Sequence, residues 1–560
     1  MSTGKKPVLE VATPPQLRLF DSEATESRLS QASSGRRVFV DPDPRGIYLG
    51  ARRLDEYLKE AGEQDAFAVR AFLRRQDFSQ FEANYAAQGR APYAPAAMLG
   101  LILWGLMHGV DSLRALEKLA RTDLSCMWVT GGITPEFSII GRFIRRHEEL
   151  LKGGDFFARL TADIVDLCDS DASRLAGDGT VIEAAASRYR KLDAEAARKA
   201  AKKAADKAEK NPDDEELQKE KEHAEEVERK VARRAERRRK KGKDPTKAVI
   251  NPAESEAYIQ RQKKGGTAAS YKPSIFANED RIITGTAVHP SSEKAIIEEL
   301  LTKAQKVQLV SQLLLDGNYF SSGVLSLLYE DQIDALIPDG KLDEDTKEKE
   351  SSSDGKFKKE EFEYDPKTDT MICPAGQTLL PTERVPSTPD RTGYVRYGKA
   401  DCDKCPCREQ CTTAKDGRTV KRYEGDDLKE AMREVMSQPK ARAAYRKRQA
   451  WVEPVFGELR HIQGLQRFRR RGLEKVKVEF NLHAMAHNLR RMLKLLQERK
   501  PWVLEHLAWT IIAVMWAIYG LYSALRACVT SNPVRANEPA MVFVTPGRCP
   551  NPPTQTSQIR

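Results

Sequence analysis

The sequence predicts a mixed α/β protein: an α/β core behind an all-α N-terminal domain, carrying a helical-hairpin insertion and a small Cys-rich insert. Three patterns predict it. Helical periodicity dominates from Leu54 to about Leu151. Two apolar, strand-like segments, one from Ser173 and one from Val310, each end in Asp-Gly, at Asp178 and Asp316. Between them, Ala197, Ala201, Ala204 and Ala208 recur at helical spacing, and Asn211-Pro212 breaks the run before a second helix with Leu217, Ala224, Val227 and Val231 on one side. At 560 residues the chain has room for two to four domains. A net charge of +11 favours a polyanionic partner.

Taken in order, residues 1–40 are polar and rich in Pro, Ser and Gly, which predicts a disordered tail with no secretory signal. Residues 41–151 form the helical domain. Its apolar run Ala96–Met107 is too short to span a bilayer and reads as a buried helix. The segment Pro135–Arg146 has a basic C-terminal face, equally suited to phosphate contact or to a solvated helix end. The α/β region spans 170–495. Its first insertion, 194–243, ends in the basic run Arg237–Lys241, a solvated spacer or a DNA-backbone arm. The second, 342–415, is a charged linker followed by clustered cysteines. Cys373, Cys402, Cys405 and Cys411 make a possible structural Zn²⁺ set, with Cys407 as a spare or substitute. His483 and His487 stand one helical turn apart on an apolar helix, a pattern usual for packing and less so for metal. An apolar helix is expected at 501–528. Its uncharged stretch 507–525 is long enough for a membrane span, but the soluble character of the rest favours a covered helix. Residues 529–560 read as a disordered tail.

The chemistry gathers on YRKRQAWVEPVFGELR, Tyr445 to Arg460. Glu453 lies among cations and aromatics, and Arg460, seven residues on, shares its helix face. Pro454 fits the first position of a helix, which would set Glu453 at the N-terminus. Either Asp-Gly alone is a turn. Together, Asp178, Asp316 and Glu453 could hold two Mg²⁺ ions about 3.5–4 Å apart, one activating a water or 3′-hydroxyl and the other stabilising the leaving oxygen at phosphorus. Arg448, Arg460 and the basic stretch with Arg467, Arg469 and Arg470 could neutralise a DNA backbone.

The motifs DGTVIEAAAS, LLLDGNYF and YRKRQAWVEPVFGELR, with GLQRFRRRGLEKV and HNLRRML behind them, resemble bacterial insertion-sequence transposases of the DDE class, in the group with a cysteine-bearing insert between the second Asp and the Glu. The resemblance covers most of residues 45–495. It implies an RNase H-like catalytic core, a DNA-binding N-terminal domain, and Asp178, Asp316 and Glu453 as the Mg²⁺-binding triad, with Mn²⁺ as a substitute. It further implies transposon terminal inverted repeats and target DNA as partners, a homo-oligomer on DNA, and a cytoplasmic, nucleoid-associated protein. Tyr445 and Arg448 fit the family's Tyr-x₂-Arg-x₃-Glu-x₆-Lys signature, but Glu453 comes one residue late and Arg460 replaces the Lys. The long 194–243 insertion and the apolar tail depart from the common core, which leaves open an inactive or domesticated copy that binds DNA without cutting it.

Overall fold

The computed structural model describes residues 38–86, 88–262, 265–340, 356–388, 391–398 and 400–501. The 507–525 stretch, the 529–560 tail and most of residues 1–40 lie outside the described residues. Among those described, no helix is long and apolar enough to cross a membrane.

A two-stranded hairpin, β1 (Tyr48–Leu49) and β2 (Arg52–Arg53), leads into α1 (Leu54–Glu60), α2 (Gln64–Arg75), α3 (Ser79–Ala83), α4 (Pro95–Met107), α5 (Leu113–Thr122), α6 (Leu124–Thr130), α7 (Phe137–Arg146), α8 (Glu148–Gly153) and α9 (Asp155–Leu167). The apolar run forms α4 as expected. It starts on Pro95, and only Ala96 escapes full burial. Polar caps end the short connections. Ser112 accepts from the Ala115 amide at 3.2 Å to start α5, and Asp123 accepts from Cys126 at 2.6 Å to start α6.

Next come β3 (Arg174–Gly179) and β4 (Ile182–Glu183), then the predicted hairpin as α10 (Ala194–Lys210) and α11 (Glu215–Lys240), then β5 (Tyr258–Arg261), β6 (Thr267–Ala277), β7 (Ile283–His289), α12 (Ile297–Gln305), β8 (Gln312–Leu314), α13 (Ser322–Glu330) and β9 (Asp334–Leu336). The seven strands make one sheet. The antiparallel β6 carries β3 and β4 along one side and β7 and β5 along the other, and β8 and β9 extend the sheet in parallel beyond β3. A second, five-stranded antiparallel sheet follows from β10 (Glu363–Asp365), β11 (Thr370–Ile372), β12 (Thr378–Val385), β13 (Tyr394–Gly398) and β14 (Val420–Tyr423), with the short α14 (Arg408–Cys411) beside it. It has its own small core of Phe362, Met371, Leu379, Tyr397 and Val420.

The chain closes with α15 (Asp426–Ser437), α16 (Pro439–His461) and α17 (Leu473–Arg499). Helix α17 is buried over most of its length and packs against α4, α8 and α9 as well as β7. It also covers the open edge of β7: the Asn488 side chain accepts from the Ile283 amide and donates to its carbonyl, both at 2.8 Å. His483 and His487 serve packing. His483 Nδ1 lies 2.8 Å from Gln463 Oε1, and His487 Nε2 lies 2.8 Å from the Arg281 carbonyl.

One expectation is corrected. No helix begins at Pro454; α16 begins at Pro439 and carries Pro454 inside it, so Glu453 is mid-helix and draws nothing from a helix N-terminus. A proline there removes the N–H that would bond the carbonyl four residues back. That carbonyl, of Ala450, accepts instead from Arg281 Nε at 3.2 Å. Arg281→Ala should therefore cost about 1 kcal/mol. In a Pro454→Ala background the restored amide takes over, and the same change should cost much less. A double-mutant cycle by urea denaturation reads the difference.

Candidate active site

In the β3–β8 pair, Arg174 stands opposite Gln312 and Ala176 opposite Leu314. Extending that offset by two residues sets Asp178 opposite Asp316. Side chains at equal register on parallel strands emerge on the same face, with neighbouring strands about 4.8 Å apart. Both glycines that follow are required by close approach. A Cβ on Gly179 would come within 2.7 Å of the Glu293 carboxyl carbon, and one on Gly317 within 2.4 Å of the Gly340 carbonyl oxygen. Asp-Gly here is more than a turn signal.

Asp178 is pushed up to about 6, first by burial, against the opposing pull of Arg448 and of the Gly179 amide; the charges of Asp316 and Glu293 raise it further. Asp316 is held by Asn318, whose amide and side-chain nitrogen donate to its two oxygens at 3.0 Å each. Glu293 was not foreseen: it pairs with Lys272 at 3.0 Å and leans on Gly179. Only its contact across the sheet, invisible in the sequence, marks it.

Helix α16 lies along β3 and is gripped at its middle and at its C-terminal end. The buried Arg448 donates to the Gly177 carbonyl at 3.1 Å and stands 3.7 Å from the Asp178 carboxylate. Arg460 donates to Thr180 Oγ1 and, at 3.1 Å, to the Val181 carbonyl. Tyr445 joins the cluster. Its phenol is raised first by burial and then by Asp316 and Asp178, with Arg448 opposing, and its ring centroid is 5.9 Å from the Arg448 guanidinium. Glu453 sits between the two arginine grips and is exposed, although Trp451, Val452, Val455 and Phe456 around it are buried. The structure thus brings Asp178, Asp316, Tyr445 and Arg448 together and leaves Glu453 apart. Among the described residues no three His, Cys, Asp or Glu side chains are grouped to hold a metal ion.

The arginines after Gly464 have structural partners. Arg467 donates to the carbonyls of Ala184 and Ala186 at 3.1 and 2.7 Å, and Arg469 pairs with Asp111 at 2.6 Å. Arg470 is half-buried, its pKa lowered by desolvation, with Glu479 and Glu148 opposing. The loop backbone is pinned by Glu479, which accepts from the Arg469 and Arg470 amides at 2.9 Å each.

The cysteines converge on one cavity lined by Cys373, Cys402, Cys405, Cys407 and Cys411. All five are free thiols. The Gln377 amide donates to Cys373 Sγ at 3.3 Å, and the Cys373 amide donates back to the Gln377 carbonyl at 2.9 Å. Burial raises the Cys411 thiol; Arg418 opposes, and Cys402, Cys373 and Cys405 add to the rise.

Two family models match. One, described as a transposase DDE domain, covers residues 372–493, and so takes in the cysteines, α16 and most of α17. The other, a transposase domain (DUF772), covers residues 60–146, the span of α2 to α7. Together they indicate an insertion-sequence DDE transposase. No curated protein matches the chain. The two matches fall on the helical N-terminal region and on the C-terminal half of the chain, and transposases act on DNA.

The carboxylate pair predicts a pH effect on folding. Between the ordinary Asp value of 3.8 and the folded value of about 6 the folded state keeps a proton that the unfolded chain has lost, so stability falls as pH rises through this window. Above it the penalty is constant at about 2–3 kcal/mol. Asp178→Asn should remove most of it: in cation-free buffer the variant should be the more stable protein above pH 7 by about 2 kcal/mol and show no gain near pH 3, read by urea denaturation.

Proposed function

We propose that this transposase cuts DNA at transposon ends and joins the liberated 3′-OH to target DNA, using Asp178, Asp316 and Glu453 on an RNase H-like core. The observation that carries the reading is that the parallel β3–β8 pair, at the register Ala176 opposite Leu314, leads into Asp178 and Asp316, whose charges interact. It is supported by the match of a transposase DDE domain over the helix bearing Glu453. The strand order β7-β6-β3-β8-β9, antiparallel on one side of β3 and parallel on the other, supports the core assignment.

The donor set fits a hard divalent cation. Two carboxylates crowd each other in a half-buried setting, one with a raised pKa, an arrangement that a cation between them relieves. Two Mg²⁺ ions, or Mn²⁺ in their place, would supply activation of the attacking oxygen and charge relief at the leaving one. Asp178 and Asp316 would hold them, with Glu453 swinging inward on its flexible side chain. Arg448 keeps Asp178 oriented through the neighbouring carbonyl, and Tyr445 closes the cluster against water. The N-terminal helices would bind terminal inverted repeats, and a homo-oligomer would synapse the two ends in the cytoplasm, at the nucleoid. Arg460 and Arg467 shape the DNA-facing surface through the backbone carbonyls they hold, while Arg469 is paired with Asp111 and Arg470 is half-buried near Glu479.

The exposed position of Glu453 favours one alternative, an inactive or domesticated protein that binds DNA without cleaving it. The discriminating measurement is Mg²⁺-dependent nicking of a duplex carrying the element's terminal inverted repeat. Asp178→Ala, Asp316→Ala and Glu453→Ala should each lower nicking by on the order of 10³-fold, equivalent to several kcal/mol of lost metal stabilisation, while DNA binding persists. A wild-type protein that shifts the duplex without nicking it in Mg²⁺ or Mn²⁺ would establish the alternative.

The cysteine module is proposed to hold a structural Zn²⁺ through Cys373, Cys402, Cys405 and Cys411, drawn together by the ion from their places around the cavity. Purified protein should contain about one zinc per chain, and Cys402→Ser with Cys405→Ser should abolish it and loosen residues 357–423 to protease.

A further inference from the structure

The insertion between β4 and β5 is polarised along its length. Residues 215–228, the first half of α11, carry seven acidic and two basic side chains, whereas residues 229–247, its second half and the turn after it, carry eleven basic and two acidic ones. The acidic half lies toward the tip, where Lys207 of α10 meets Glu220 at 3.4 Å. The basic half returns to the body of the protein. There Arg234 is the anchor: it is 9% exposed, donates to the Ser255 and Ala257 carbonyls at 2.7 and 3.0 Å, and lies over the Tyr258 ring. With Arg234 so fixed, Arg237, Arg239, Lys240, Lys241, Lys243 and Lys247 are all exposed.

A second feature lies at the same base. The loop Ser187–Lys191 is tied down by Asn251, which donates to the Ser187 carbonyl at 2.8 Å, and by the bridge between Leu192 and Ile250. It displays Tyr189, 94% exposed, between Arg188 and Arg190. Burying a tyrosine is favourable, so one held out on a fixed loop beside Arg190 and beside Arg188, which pairs with Glu183, suits a partner whose phosphates can accept from its hydroxyl.

The register gives the distance to the carboxylates. Tyr258, beside Arg237, is paired with Ser270 of β6, and Asp178 is paired with Ile275 of the same strand. Along the direction of β6 the two are five residues, about 17 Å, apart, the length of about five base pairs of duplex.

We propose that the base of the α10–α11 hairpin, the basic end of α11 together with the Tyr189 loop, is a platform for the DNA backbone, gripping the duplex about five base pairs from the carboxylate pair. The platform rests on the transposase reading, and its test separates the two. Full-length protein is titrated with a labelled duplex over a range of KCl concentrations, and log K is plotted against log[KCl]. The base variant Lys240→Glu/Lys241→Glu/Lys243→Glu should lower the slope by about 3, since each phosphate contact contributes about 0.9. The tip variant Lys202→Glu/Lys203→Glu/Lys210→Glu, equal in charge change, should lower it by less than about 1. Tyr189→Ala should weaken binding about fivefold at an unchanged slope, through loss of the hydroxyl's hydrogen bond to a phosphate. All substituted side chains are exposed, and circular dichroism verifies that each variant is folded. Equal loss from base and tip, or no loss from either while the wild type binds, overturns the platform and leaves the transposase reading intact. A folded wild type that binds no DNA at low salt overturns both.

Discussion

A guanidinium joins the last two elements of the site. Arg448 is 7% exposed, and it reaches from α16 to the Gly177 carbonyl and the Asp178 carboxylate at once. A cation so far removed from water needs compensation, and here a strand carbonyl accepts from one nitrogen and a carboxylate lies 3.7 Å away, while Nε is left buried without a partner among the described residues. Because the contact falls on the residue next to Asp178, it sets both the seating of the helix and the orientation of the carboxylate. Everything carried by α16, Tyr445 and Glu453 included, takes its position relative to the sheet from this contact and from the matching grip of Arg460 on Thr180 and Val181.

The sheet in turn depends on α17. One face of that helix meets β7 and the other meets the N-terminal helices, so the two regions share a continuous apolar core from Leu54 to Leu496. Its amides complete the job: Asn488 satisfies the edge of β7, and Asn481 accepts from Thr286 while donating to the Leu151 carbonyl at 2.9 Å. Buried amides with every group used hold a helix in one register, which apolar packing alone does less sharply.

Much of this was legible in the residues. The periodicity of α4, α10 and α11 and the apolar runs of β3 and β8 are local properties, and local properties survive folding. The nearness of Asp178 to Asp316 was legible through a coincidence of motif, two apolar runs ending alike. What failed was long-range. Pro454 resembled a helix start because a proline within a helix needs a remote donor, and Arg281 cannot be assigned to Ala450 from sequence. Glu293 escaped notice because its approach to Asp178 depends on a glycine in another strand. Arg467, Arg469 and Arg470 read as a DNA-facing cluster by composition, while their carbonyl and carboxylate partners lie hundreds of positions upstream or on the following helix. Electrostatic pattern names the charges and leaves open what they are paired with.

The proline inside α16 has a mechanical consequence. A helix normally resists bending because tilting one turn against the next stretches its own ladder of hydrogen bonds. At Ala450 that rung is missing and is replaced by a tether to a neighbouring segment. The rod is therefore jointed at the turn that bears Glu453, between two fixed arginine clamps, and the carboxylate can be re-aimed by a small flexure without breaking any rung of the helix.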